Sequence, residues 1–287
     1  MKAIALQFIN GNAFFAGIYI VSIGLPVYIR CSRRIIRSVV TIMLLMGVIC
    51  TGLSGTPFSL MLFVLWVVSC AGTLVLSSTK NKALEKYKAP VWTAAVFMLL
   101  SICLFLFEIP YHMSKEIIIG PNQTVYVLGD SISAGFTDKE KTWPLVLGEL
   151  SGLKVINLAL PGATVKSARV QADGISIAGS VVILEIGGID ILEQNDTGMF
   201  ETQLAGLLSY LEDGKHTIVM FEIPTPPLCS RYGKIQRTLA EKYHVTLIPK
   251  KYMADVIGMG HGTIDSIHLS QKGHNALAES VYELIRY

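Results

Sequence analysis

The sequence has little charge and little cysteine, and it lacks the serine motif of one large hydrolase class. Asp, Glu, Lys and Arg make up 16% of the 287 residues, whereas soluble domains carry about 25%. This shortage favours a protein that lies partly in a membrane. No Gly-x-Ser-x-Gly motif is present, which argues against the α/β-hydrolase fold. No Cys-x-x-Cys or Cys/His pair has metal-ligand spacing, so we expect neither a metal nor another cofactor.

The few charges are distributed unevenly along the chain. Residues 1–110 contain nine Lys or Arg and two Asp or Glu, whereas residues 111–287 contain fifteen and nineteen. The net charge of +3 therefore combines a basic, apolar part with a mildly acidic one. Neither part has the clustered basic face that nucleic-acid binding requires, so we expect no nucleic-acid partner.

Four apolar stretches in the first part are long enough to cross a bilayer, which takes about 20 residues of helix. They cover residues 13–29, 35–53, 57–76 and 90–107. None has the polar stripe of a helix on the surface of a soluble protein. We therefore predict a membrane domain at residues 1–110 that contains four transmembrane α-helices.

The positive charges between these stretches predict their orientation. Four arginines lie in the first loop and four lysines in the third, namely Arg30, Arg33, Arg34, Arg37, Lys80, Lys82, Lys86 and Lys88. The second loop has no charge. Because cytoplasmic loops carry the excess of Lys and Arg, loops one and three are predicted to be cytoplasmic. Both termini, and everything after the fourth span, are then extracytoplasmic.

After a predicted linker at 111–123, residues 124–287 alternate between short β-rich runs and segments of helical spacing. The five runs cover residues 124–128, 154–158, 181–186, 217–221 and 245–248. This alternation predicts an α/β fold with three layers, α/β/α, around a five-stranded parallel sheet. Functional groups in such sheets gather at the carboxyl ends of the strands.

Two polar motifs contain candidate catalytic residues. Ser131 follows the first predicted strand within a Gly-Asp-Ser motif, where a nucleophile is expected. Near the C-terminus Asp265 precedes His268 by three residues, so the carboxylate can orient the imidazole as a general base. Each motif alone is also ordinary turn chemistry, and neither decides the function by itself.

Two glycine-containing turns follow the second and third predicted strands. Gly162 lies in a Leu-Pro-Gly-Ala turn, and Ile189 lies in a Gly-Gly-Ile-Asp turn. Flexible backbone at these strand ends can direct N–H groups at an oxyanion.

Taken in order, the four motifs resemble the GDSL/SGNH hydrolase superfamily over about residues 124–284, and within it the bacterial thioesterase/lysophospholipase enzymes. The resemblance implies an SGNH-type fold and an acyl-enzyme mechanism. It makes Ser131 the nucleophile, His268 the base and Asp265 the residue that orients His268. The oxyanion hole then uses the backbone N–H groups of Ser131 and Gly162.

One position departs from the family pattern. The family has Gly-x-Asn-Asp, in which the Asn amide completes the oxyanion hole, whereas this chain has Ile189, which donates no hydrogen bond. Loss of one such donor costs about 10²–10³ in turnover. Asn195 lies nearby but lacks the preceding Gly spacing, and the Asn195-Asp196 pair is better placed to cap a helix near Gly198.

We therefore expect a membrane-tethered, extracytoplasmic ester hydrolase of the esterase, lysophospholipase or thioesterase type. Its substrate is expected to be an acyl ester, either a lipid or an acylated envelope glycan. An O-acyltransferase or glycan deacetylase remains an alternative, although no span carries the buried His or acid that acyl transfer within a membrane needs. Because of Ile189, a non-catalytic binding module is a further alternative. The sequence predicts no particular protein partner.

Overall fold

A computed structural model of the chain describes residues 2–79, 89–120, 122–137 and 140–287. The chain forms two compact units. One consists of the residues up to Leu6 together with 111–225 and 229–287, and the other of 7–110 and 226–228. The lysine-rich third loop predicted at 80–88 lies outside the described residues.

The N-terminal part is helical. Its helices are α1 (Lys2–Ile9), α2 (Asn12–Arg30), α3 (Arg34–Leu53), α4 (Leu60–Ser78) and α5 (Ala89–His112). Helices α2 to α5 are long and apolar enough to cross a membrane. This finding confirms the four apolar helices that the sequence predicts. Large apolar side chains such as Ile35, Val68 and Leu99 are exposed on them, as a surface that faces lipid requires.

Small residues and polar side chains hold these helices together. A Cβ atom on Gly17 in α2 would lie 2.4 Å from the Gly47 carbonyl oxygen and 2.2 Å from Thr51 Oγ1 in α3, so only glycine permits this approach. Trp66 in α4 donates its Nε1–H to Ser101 Oγ in α5 at 2.8 Å. Close backbone approach and interhelical hydrogen bonds are the interactions that associate apolar helices in lipid.

The second unit contains a five-stranded sheet in the order β3-β2-β4-β5-β6. The strands of the chain are β1 (Ile117–Ile118), β2 (Val125–Gly129), β3 (Val155–Asn157), β4 (Val181–Glu185), β5 (Thr217–Phe221), β6 (Thr246–Ile248) and β7 (Ile285–Arg286). All four pairings in the sheet are parallel, which confirms the predicted five-stranded parallel sheet. Strands β2 and β4 are buried along their whole length, because helices cover both faces of such a sheet.

Eight further helices are described after β1. They are α6 (Ser131–Ala134), α7 (Trp143–Ser151), α8 (Val165–Ala172), α9 (Gly188–Leu192), α10 (Thr197–Asp213), α11 (Ser230–Lys242), α12 (Lys251–Gly258) and α13 (Gln271–Tyr282). Side chains alternate between the two faces of each strand. Tyr126 and Leu184 therefore join one apolar cluster with residues of α8, α10 and α11, whereas Val127 and Ile183 join another with residues of α7, α12 and α13. The predicted three-layer α/β/α architecture follows from these two clusters.

A small second sheet joins the beginning and the end of this unit. Strand β1, which lies within the predicted linker, pairs in parallel with β7. Ile117 and Ile119 are almost fully buried there, and Arg286 Nε donates to Glu116 Oε1 at 3.1 Å. The residues from about 116 onward therefore pack as part of the sheet-containing unit.

Candidate active site

The turn that carries Ser131 follows directly from β2. A Cβ atom on Gly129 would lie 2.7 Å from Ser133 Oγ and 2.8 Å from the Glu185 carbonyl oxygen, so the turn requires glycine there. Asp130 caps α6, since its Oδ1 accepts a backbone N–H from the second residue of the helix at 2.9 Å. Ser131 is the first residue of that helix and is buried. The Gly-Asp-Ser motif thus places a serine at the carboxyl end of β2.

A network of hydrogen bonds fixes this turn from three elements. Ser133 Oγ donates to Glu185 Oε2 at 2.8 Å and accepts the Trp143 Nε1–H at 3.0 Å. Asn157 Nδ2 donates to the Ser133 carbonyl oxygen at 2.7 Å. These partners come from β4, from α7 and from β3. The sequence motifs did not reveal this role of Glu185, although a carboxylate that ends a buried apolar strand requires a partner.

The carboxyl groups of Asp130 and Glu185 interact in the interior. Burial raises the pKa of Asp130 to about 6. Burial, followed by the neighbouring Asp130 carboxylate, raises the pKa of Glu185 well above its ordinary value. Because two adjacent buried carboxyls do not both ionise readily, the pair retains a proton, and we place it on Glu185, whose pKa is raised well above its ordinary value.

A tight loop between Thr263 and Leu269, which form an isolated antiparallel bridge, holds the second pair of predicted catalytic residues. Asp265 Oδ1 accepts the backbone N–H groups of Ile267 at 3.0 Å and His268 at 2.9 Å. Asp265 Oδ2 lies 2.6 Å from His268 Nδ1. The side-chain hydrogen bond to His268, followed by these backbone bonds, holds the pKa of Asp265 well below its usual range. An ionised Asp265 keeps the proton on His268 Nδ1 and leaves Nε2 as an acceptor.

The Ser131 turn and the Asp265–His268 loop meet at one place in the fold. Phe136, which follows α6, packs on the His268 ring with the centroids 4.4 Å apart and the planes at 33°. Burial raises the pKa of Asp130, which immediately precedes Ser131, and the nearby His268 lowers it in part. The loop that carries His268 therefore lies beside the segment that follows the Ser131 turn, although the two are distant in sequence.

The Gly162 turn supplies backbone donors near the end of β3. Among the residues that the structure describes, neither the Ser131 N–H nor the Gly162 N–H has a hydrogen-bond partner. Gly162 has a φ of 71° and is exposed. Asp190 of α9 joins the helix that follows this turn, because its Oδ2 accepts the N–H of Val165, the first residue of α8, at 3.0 Å. The two predicted oxyanion donors are thus free to bind a ligand.

Ile189 occupies the second position of α9 and is half-buried. The nearby Asn195 does not supply an amide in its place, since its Nδ2 donates to Asp190 Oδ1 at 3.3 Å. The predicted helix cap is Asp196, whose Oδ1 accepts two backbone N–H groups of α10, each at 2.9 Å. The side-chain donor of the family pattern is therefore missing at position 189.

His274 has a supporting role away from these groups. It is almost fully buried, and its Nδ1 accepts the Trp143 backbone N–H at 3.1 Å at the start of α7. Burial lowers the pKa of His274, which favours the neutral ring that this hydrogen bond needs. Within the described residues, no group of three His, Cys, Asp or Glu is arranged to hold a metal ion.

The sheet order and the turn geometry define an SGNH-type hydrolase fold. Residues 127–276, just over half of the chain, match the GDSL-like Lipase/Acylhydrolase family. The chain belongs to this family, which confirms the resemblance seen in its motifs.

Solved structures agree on the fold. The psychrotrophic esterase EstA from Pseudoalteromonas sp. superposes with a TM-score of 0.52 at 20% identity, over 56% of this chain and 95% of EstA. TesA superposes with a TM-score of 0.51 at 23% identity, over 56% of this chain and 97% of TesA. At these identities the likeness establishes the fold alone. No curated protein matches the chain in sequence.

Proposed function

We propose that this chain is a membrane-tethered serine ester hydrolase whose catalytic domain is extracytoplasmic. The observation that carries the proposal is the Asp265–His268 pair, joined at 2.6 Å, beside the turn that presents Ser131. A serine hydroxyl is a weak nucleophile until an oriented base removes its proton. The membership of the GDSL-like lipase/acylhydrolase family supports the same chemistry.

Acylation begins when His268 Nε2 removes the proton from Ser131 Oγ. Ser131 Oγ attacks the ester carbonyl carbon, and the π electron pair of the C=O bond moves to the carbonyl oxygen. The N–H groups of Ser131 and Gly162 stabilise the resulting oxyanion. The tetrahedral intermediate collapses and expels the alcohol, which takes the proton from His268. Asp265 remains ionised and stabilises the imidazolium throughout.

Deacylation repeats these steps with water. His268 removes a proton from water, the hydroxide attacks the acyl carbon, and the intermediate releases Ser131 Oγ. The proton on His268 returns to the serine, and the carboxylic acid leaves. Ester and water are thus converted to alcohol and acid with no further reactant.

Apolar side chains around the site favour an apolar acyl group. Phe136 packs on His268 and is 57% exposed, Leu160 in the Gly162 turn is 55% exposed, and Ile267 beside His268 is 43% exposed. Exposed apolar groups that adjoin a polar site favour a ligand with an apolar part. The membrane tether makes a lipid or an acylated envelope glycan the substrate class that we propose.

A fluorophosphonate probe tests whether the serine is activated. The full chain in membranes is expected to be labelled and to hydrolyse a p-nitrophenyl ester, and Ser131→Ala is expected to abolish both. Ser209→Ala in α10 is a matched control that should keep both. Labelling that persists in Ser131→Ala would exclude Ser131 as the nucleophile.

Thiol labelling tests the orientation. In a variant without native cysteines, Ser32→Cys in the first loop should resist an impermeant reagent in intact cells, and Lys115→Cys should react. The arginine cluster of the first loop motivates this expectation. The opposite pattern would place the catalytic domain in the cytoplasm.

Ile189 favours a second candidate function, a binding module that has kept the family fold without turnover. A protein that is folded and binds acyl esters, but neither hydrolyses them nor reacts with the probe at Ser131, would establish it.

A further inference from the structure

A polar cavity of about 290 Å³ opens where α2 ends and α3 begins. It is lined by Tyr28, Ser32, Arg34, Arg37, Ser38 and Thr41. Ligand pockets span about 300–1,000 Å³, so this cavity suits a small polar group. Neither the hydrolase site nor the tethering function uses it.

Arg37 is fixed in place beside this cavity by residues of two other helices. Its Nη2 donates to Ser78 Oγ of α4 at 3.2 Å, and its guanidinium carbon lies 4.2 Å from the centre of the Tyr28 ring of α2. Tyr28 and Ser78 are themselves joined at 3.0 Å. Arg37 Nε is buried and has no partner among the described residues. The protein therefore orders this guanidinium without satisfying all of its donors.

The charge in the cavity is positive. Arg34, at the first turn of α3, adds a second guanidinium, and the helix dipole favours anions at this end of the helix. In the described part of this helical unit the sole carboxylate is Glu108, near the C-terminal end of α5. Guanidinium groups recognise phosphate through paired N–H donors.

The neighbouring face of α3 is apolar and exposed. Ile35, Val39 and Ile42 are 80%, 51% and 61% exposed, and their spacing places them on one stripe. A ligand with acyl chains along this stripe and a phosphate in the cavity satisfies both surfaces. We propose that the cavity binds the phosphate group of an anionic phospholipid. The inference rests on the proposed membrane insertion and is independent of the hydrolase activity.

Native mass spectrometry of the full chain in detergent tests the cavity with phosphatidylglycerol and phosphatidylcholine of equal chain length. Phosphatidylglycerol is expected to bind about 10-fold more tightly, since basic residues at a membrane surface favour anionic lipid. Arg37→Gln should remove most of this preference. Arg33→Gln deletes a neighbouring charge that does not line the cavity, and it should leave the preference within about 2-fold. Arg37→Lys should behave like Arg37→Gln, because lysine lacks the planar fork.

If Arg37→Gln and Arg33→Gln lose the preference for phosphatidylglycerol equally, the preference reflects general charge attraction, and the cavity is not a specific site. If inorganic phosphate binds through Arg37 but phosphatidylglycerol binds no more tightly than phosphatidylcholine, the ligand is a free phosphate, and the proposed lipid ligand is wrong. Ser38→Leu fills the cavity at unchanged charge, so it should lower phosphatidylglycerol binding at an unaltered melting temperature. Unchanged binding would also contradict the proposal.

A chain recovered in the soluble fraction would refute the proposed membrane tether itself. A membrane-bound chain without Arg37-dependent binding would refute the cavity alone.

Discussion

Glu185 accepts a hydrogen bond from the hydroxyl of Ser133 at 2.8 Å, two residues after the proposed nucleophile. Glu185 ends β4, and Ser133 lies in α6 directly after β2, whose last residue Gly129 is paired with Glu185 in the sheet. The Glu185 carboxyl therefore helps to hold the turn that carries the proposed nucleophile.

Two substitutions of Glu185 separate hydrogen bonding from size. Glu185→Gln keeps an acceptor for Ser133 and imitates the protonated carboxyl, so turnover of a p-nitrophenyl ester at neutral pH should change little. Glu185→Leu leaves the Ser133 hydroxyl and the Asp130 carboxyl without this partner, which should cost about 1–3 kcal/mol of stability and reduce kcat. Chemical unfolding and steady-state kinetics measure these effects. A Leu variant as stable and active as the Gln variant would contradict the positioning role.

The same carboxyl pair predicts how stability depends on pH. The folded-state pKa values of Asp130 and Glu185 are raised, so above about pH 4 the folded state binds more protons than the unfolded state. Their contribution to stability is therefore present at low pH and is lost as the pH rises toward and beyond about 6. Glu185→Gln should flatten this decline in melting temperature. Identical pH profiles for the variant and the wild type would show that the pair does not control it.

Asp265 contributes to the pH dependence of stability with the opposite sign. Its pKa is lowered in the folded state, so its stabilisation is present above the ordinary Asp pKa and is lost as the pH falls. Asp265→Asn can still hold the ring, but its Nδ2 then donates to His268 Nδ1 and favours the wrong tautomer, so turnover should fall, although by less than in His268→Ala. Kinetics of both variants test this order. Full activity in His268→Ala would remove His268 from the mechanism.

The five strands of the sheet and the contact between Asp265 and His268 could be predicted because each depends on local sequence. Ser131 follows a continuous apolar run, and Asp265 and His268 are only three residues apart. Strand β1 was not predicted because its partner β7 lies at the far end of the chain. Helix α12 was not predicted because it begins almost directly after β6 and has only eight residues, too few for a clear period. The contact between Ser133 and Glu185 depends on the order of the strands in the sheet. The hydrophobic periodicity of the sequence does not specify that order.

The helical unit offers a matched pair of glycines. A Cβ atom on Gly17 would overlap α3, whereas a Cβ atom on Gly72 in α4 would meet nothing within 4 Å. Gly17→Ala should therefore destabilise the unit by about 1–3 kcal/mol through overpacking, while Gly72→Ala should be neutral or slightly stabilising. Thermal unfolding of the full chain in detergent measures both. Equal melting temperatures would mean that α2 and α3 do not pack at this distance.

Ile189→Asn restores the side-chain donor that the family pattern places beside the two backbone N–H groups. An added donor stabilises the tetrahedral intermediate more than the bound ester, so kcat should rise while KM changes little. The full value of one oxyanion donor is about 10² in turnover. We expect about 10-fold, because the amide must be aimed to within about 0.5 Å by neighbours that now surround Ile.

Ile189→Val is the matched control, since it changes the size of the side chain without adding a donor, and its kcat should not rise. Asn195→Ala in the wild type should not lower kcat as the loss of an oxyanion donor would, because the Asn195 amide already donates to Asp190. A rate for Ile189→Asn that stays unchanged in a well-folded variant would mean that another group already stabilises the oxyanion. A wild type and variant that are both inert, with Ser131 unlabelled in each, would favour the binding module, since restoring the donor accelerates only a serine that is already activated.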